Sequence, residues 1–93
     1  MDNIIKISKS ELKKISFSEN EVLDRASQIG RDNQLKGAIL MKKDGSGKVD
    51  ITFQSKNRGK FRVISPILTA GEEFLVLKGG QTIAIKSITS IKF

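Results

Sequence analysis

Val49-Asp50-Ile51-Thr52-Phe53-Gln54 alternates apolar and polar side chains without a break. A period of two is the mark of a strand that buries one face and wets the other. Downstream, Asn57-Arg58-Gly59 supplies turn residues and leads into the apolar-rich stretch 61–64, so a second strand follows. Pro66 and then Thr69-Ala70-Gly71 interrupt the pattern before Phe74-Leu75-Val76-Leu77 resumes it. Lys78-Gly79-Gly80-Gln81 turns the chain again, Ile83 and Ile85 alternate with polar or small neighbours, and Ile91 and Phe93 close the series. Ile88 falls out of phase with these residues; a bulge or tight turn within 87–90 restores the register. Upstream, the apolar run 38–41 lies ahead of the turn composition Asp44-Gly45-Ser46-Gly47 and reads as the partner of 49–53 in a hairpin.

The segment before residue 35 has a different period. Ser18 and Glu21 stand at capping-box spacing, with Phe17 and Val22 placed as a hydrophobic staple. Val22, Leu23, Ala26 and Ile29 follow the spacing of a helical face, and Gly30 supplies a C-terminal stop. A helix is expected over about 19–29, with Glu19, Glu21, Asp24, Arg25 and Arg31 serving only its dipole. Residues 1–16 read as an arm or short helix: Ile4, Ile5 and Ile7 suit a strand, whereas Ser8 and Glu11 make a second capping box leading to Leu12 and Ile15. The expected fold is α+β and mostly β. One N-terminal helix precedes five or six short antiparallel strands in a bent sheet or SH3/Sm-like barrel, with 17–93 forming one domain.

Composition narrows the chemistry. At 93 residues the chain is sized for one core. It contains neither cysteine nor histidine, which removes thiolate nucleophiles, imidazole bases and the usual zinc ligands. Glu72 and Glu73 are adjacent, and neighbours on a strand point to opposite faces rather than forming an acid/base pair. No catalytic residue, metal site or cofactor is therefore expected, and the protein is read as a binding module rather than an enzyme. No apolar run approaches the ~20 residues that span a bilayer, so a cytoplasmic protein without membrane attachment is expected.

The net charge is +7, and it is unevenly spread. Residues 1–35 carry six basic and six acidic side chains, whereas 36–62 carry eight basic against two acidic, an excess of six. Such a cluster is what an anionic polymer selects, because each neutralised phosphate releases condensed counterions. Lys42, Lys43, Lys48, Lys56, Arg58, Lys60 and Arg62 are the candidate contacts, with the 56–62 loop at the centre. The competing reading is that lysines at hairpin tips and strand edges keep sheets from pairing edge to edge. Phe53, Phe61, Phe74 and Phe93 all fall on the apolar phase of strands and are expected in the core rather than as stacking platforms.

Leu77-Lys78-Gly79-Gly80-Gln81-Thr82-Ile83 resembles the closing basic-glycine strand motif of the Sm-like small-barrel proteins, a likeness confined to the last third of the chain. The resemblance implies a ring-forming RNA-binding protein in which Lys78 and Gly79 lie near the RNA-facing loop. The family's aspartate–asparagine pair in an earlier loop has no counterpart near Asn57. The sequence thus points to nucleic acid, RNA in first place, or a ribonucleoprotein as partner, with oligomers allowed. The alternative is a protein–protein adaptor that uses exposed strand edges or presents its basic face to an acidic protein surface.

Overall fold

The computed structural model describes residues 4–41 and 47–92, and among them one α-helix and seven strands in two sheets. The broad α+β, mostly β class is as expected. The order is β1 (Ile4–Lys6), a 3-10 helix (Lys9–Lys14), α1 (Arg25–Met41), β2 (Val49–Gln54), β3 (Lys60–Ser65), β4 (Ile67–Ala70), β5 (Phe74–Leu77), β6 (Thr82–Ala84), a 3-10 turn (Ile85–Ser87) and β7 (Ile88–Lys92). One sheet runs β1-β3-β2-β7 and the other β4-β5-β6, with no closed barrel among the described residues.

The alternation of 49–54 holds through the whole of β2: Val49, Ile51 and Phe53 are buried, while Asp50, Thr52 and Gln54 are half-buried on the other face. β3 repeats this in antiparallel register, pairing Ile51 with Val63 and Phe53 with Phe61. Their inner faces share one buried cluster with Leu75 and Leu77 of β5, Ile83 of β6, and Ile88 and Ile91 of β7. Phe17 packs edge-on to Phe53 at a centroid distance of 5.3 Å. The phase break at Ile88 is resolved by the 3-10 turn over Ile85–Ser87 and by a bulge. Thr52 pairs with Ser90 and Phe53 with Ile88, which leaves Thr89 as the extra residue.

Two departures from the sequence reading concern the helix. It covers Arg25–Met41 rather than 19–29, and the apolar run 38–41 is its last turn, not a hairpin strand. Residues 16–22 instead lie outside any helix, bend at Glu19 and Asn20, and are tied to the sheets. Phe17 bridges Ser55, Ser18 N–H donates to the Gln54 carbonyl at 3.0 Å, and Val22 N–H donates to that of Lys86 at 3.0 Å. The Ser18 hydroxyl turns to Asn20 and the Glu21 carboxylate to Leu23 N–H and Arg31, so neither group caps a helix. The cap is Asp24, whose Oδ1 accepts the Ser27 N–H at 2.8 Å; that bond holds the Asp24 carboxyl below its ordinary value. The buried stripe of α1 is Arg31, Leu35 and Ala38, whereas Ala26 and Ile29 are exposed.

Gly30 separates the two descriptions experimentally. As a left-handed stop it would resist alanine, but it lies inside α1 with nothing within 4 Å of an added Cβ. Gly30→Ala should therefore stabilise the protein by about 0.5–1 kcal/mol, read as a rise in the urea midpoint.

The N-terminal segment uses both of its patterns. Ile4–Lys6 forms β1, parallel to β3 rather than antiparallel. The 3-10 helix over Lys9–Lys14 then opens with the Glu11 carboxylate accepting from the Ser8 N–H and hydroxyl at 3.3 and 3.1 Å. No helix among the described residues is long and apolar enough to cross a membrane.

Candidate nucleic-acid interface

Strand pairing decides which cations stand together. Because β2 and β3 bury their odd-numbered side chains, Lys60, Arg62 and Ile64 share the outer face with Asp50, Thr52 and Gln54. The parallel register of β1 sets Lys6 beside Arg62 and Ile4 beside Lys60. On the far side, β7 sets Lys92 beside Asp50 and Ser90 beside Thr52. Among the described residues, one sheet face thus carries Lys6, Lys60, Arg62 and Lys92 against a single carboxylate, with hydroxyl and amide groups between them. Neighbouring strands lie ~4.8 Å apart and alternate residues ~6.8 Å apart, which sets these cations on a regular grid.

The grid is partly pre-organised. The Arg62 fork grips Asp50 through Nη2 at 2.6 Å and Nε at 3.3 Å, with both side chains partly exposed. Two of its five N–H donors are spent there, leaving three for a phosphate. Asp50 offsets one charge while fixing the plane of the guanidinium. Lys60, Lys6 and Lys92 make no ion pair among the described residues.

The other sequence candidates lie elsewhere. Lys56 and Arg58 sit in the β2–β3 turn, which the Ser55 hydroxyl clamps by donating to the Gly59 carbonyl and accepting the Arg58 N–H, both at 2.8 Å. Lys56 reaches back to Glu19 at 3.0 Å, while Arg58 projects from the exposed tip. Lys48 is exposed ahead of β2. Lys78 occupies the β5–β6 turn of the other sheet, where Gly79 and Gly80 at φ 109° and 92° make a bend that side-chain-bearing residues resist; its carbonyl accepts the Lys9 ammonium at 2.6 Å. Lys42 and Lys43 lie outside the described residues.

The structure therefore joins Lys60 and Arg62, separates them from Lys48 and Lys78, and adds Lys6 and Lys92, which the sequence reading left out. The missed signal was modest but present: Lys6 alternates with Ile5 and Ile7, and Lys92 follows Ile91, which are the outward phases of two edge strands. Among the phenylalanines, Phe53 and Phe61 are buried as expected, whereas Phe74 is 47% exposed, and Phe93 lies outside the described residues. Phe74 leaves the core because β5 buries Leu75 and Leu77, which places Phe74 on the opposite phase. It belongs to the other sheet, so the cationic face has no described aromatic on which a base could stack. Comparison with protein-family models, with curated proteins and with solved structures yields no match for this chain.

Proposed function

We propose that this protein is a non-enzymatic nucleic-acid-binding module that holds phosphates on the outer face of its four-stranded sheet. The observation that carries the reading is the convergence of Lys6, Lys60, Arg62 and Lys92 through the β1–β3 and β2–β7 registers. Phosphate groups favour such a face because lysines act as point charges, the guanidinium offers a fork, and Thr52 and Ser90 supply neutral donors. With no stacking platform there among the described residues, binding rests on charge and is blind to base sequence. RNA is the favoured polymer, on the likeness of 77–83 to the Sm-like closing motif, with Lys48, Arg58 and Lys78 as peripheral contacts.

The test is a fluorescence-anisotropy titration of labelled RNA at several salt concentrations. Four phosphate contacts predict a slope of log K against log salt of about −3. Lys6→Ala with Lys60→Ala should flatten that slope by about 1.5, since two contacts are lost; Arg62 is left intact so that Asp50 keeps its partner. Lys9→Ala with Lys13→Ala, on the 3-10 helix, should leave the slope near that of the wild type. Absence of binding at low salt, or equal losses in both double variants, would refute the proposal.

A further inference from the structure

The three-stranded sheet presents a surface of the opposite character. Phe74 is 47% exposed and Leu68 62% exposed, while Val76 is half-buried beside them. Between β4 and β5 the chain closes a tight turn, with Gly71 N–H donating to the Phe74 carbonyl at 2.9 Å. The Glu73 carbonyl accepts the Ile85 N–H at 2.9 Å. These bonds hold Glu72 and Glu73 next to the exposed ring. Thr69, Ala70, Glu72, Glu73, Phe74 and Val76 line a shallow recess of about 540 Å³. Both carboxylates are exposed and neither forms an ion pair among the described residues, in contrast to Glu19, Glu21 and Asp50, each of which has a basic partner.

This apolar recess, whose charged lining residues are the two carboxylates, lies on a chain of net charge +7 and is distinct in character from the cationic sheet face. Exposed apolar area of this kind is stabilised by a partner that covers it, and the rim selects for positive charge. We propose that this recess is a second binding site, taking an extended segment of a partner protein in which an apolar side chain lies between two basic ones. The apolar group seats against Phe74 and Val76, and the cations pair with Glu72 and Glu73. The inference does not depend on nucleic-acid binding, and its test uses residues remote from the cationic face.

The probe is a fluorescein-labelled, acetylated pentapeptide alternating lysine with leucine, titrated with the full chain; a control peptide carries serine in place of lysine. Wild type should bind the lysine peptide and not the serine peptide. Glu72→Gln with Glu73→Gln should weaken binding about fivefold, as loss of two exposed ion pairs does. Phe74→Ser should weaken it about tenfold, as loss of an aromatic anchor does. Because about half of the Phe74 ring is buried, Phe74→Ser should lower the melting temperature while the chain stays folded at the titration temperature, and the carboxamide variant provides a readout that leaves the apolar packing untouched. Lys6→Ala with Lys60→Ala should bind the peptide as wild type does. Equal binding of both peptides, or unchanged affinity in the Glu72, Glu73 and Phe74 variants, overturns the proposal. So does a Phe74-dependent dimer in sedimentation without peptide binding, which would make the occupant a second copy of the chain.

Discussion

Arg31→Met is expected to lower the unfolding free energy by about 2 kcal/mol, the scale of leaving a buried carbonyl without its donor and a partly exposed carboxylate without its partner. The arginine is 5% exposed although it lies on a helix. Its fork donates to both carboxylate oxygens of Glu21, at 2.8 and 2.6 Å, and Nη1 donates to the Ile88 carbonyl at 3.1 Å. One side chain therefore ties α1 to β7 and to the non-helical segment ahead of the helix. Methionine fills the volume but leaves the Ile88 carbonyl and Glu21 without that donor. Urea unfolding at neutral pH measures the cost; a loss below about 0.5 kcal/mol would mean that Arg31 behaves as an ordinary surface charge.

The same pair predicts a pH dependence. The hydrogen bond from Arg31 is the main cause that holds the Glu21 carboxyl below 4.5, with burial opposing it. A depressed folded-state value means that the folded protein binds fewer protons there than the unfolded chain. The stabilisation is therefore complete above pH 4.5 and is lost as pH falls through the lower folded value. Arg31→Met should flatten the stability curve over that acidic range.

Ile51→Ala and Ile83→Ala should each cost about 2–5 kcal/mol, the usual result of deleting a buried isoleucine's outer atoms and leaving a cavity. Both side chains are fully buried, one in each sheet. Ile51 lies opposite Val63 on one side and Ile91 on the other, and Ile83 opposite Leu75. A one-residue slip of β2 would turn Asp50, Thr52 and Gln54 inward, so this alternation sets the register of the whole first sheet. Urea denaturation of each variant checks the expectation. A change of less than about 0.5 kcal/mol would place that side chain on the outer face.

The strands were legible because their signal is local. Val49–Gln54, Phe61 to Ile64 and Phe74–Leu77 each carry their period or apolar content in a few residues, and glycine or proline marks the turns between them. The helix was not, because its buried stripe contains Arg31, whose partner Glu21 lies outside the helix, and Gly30 and Gly37 occur within it. A hydrophobic-face count cannot recognise an arginine as core. The Ser18 and Glu21 spacing misled because Ser18 closes a local turn on Asn20 and Arg31 claims the Glu21 carboxylate. In the candidate interface, Lys60 and Arg62 share a face by strand alternation alone. Lys6 and Lys92 join them only through pairings between strands distant in sequence, one of them parallel; charge counting along the chain does not reveal such neighbours.

The most direct measurement of the central claim is an amide chemical-shift titration of the labelled protein with RNA, which locates the contact surface without substitutions. Binding on the cationic face predicts perturbations centred on Lys6, Lys60, Arg62, Ser90 and Lys92, fading as salt is added. Glu72, Glu73 and Phe74 should stay unshifted. Perturbations confined to the β5–β6 turn around Lys78, or spread over the molecule without a centre on the four-stranded sheet, would contradict it.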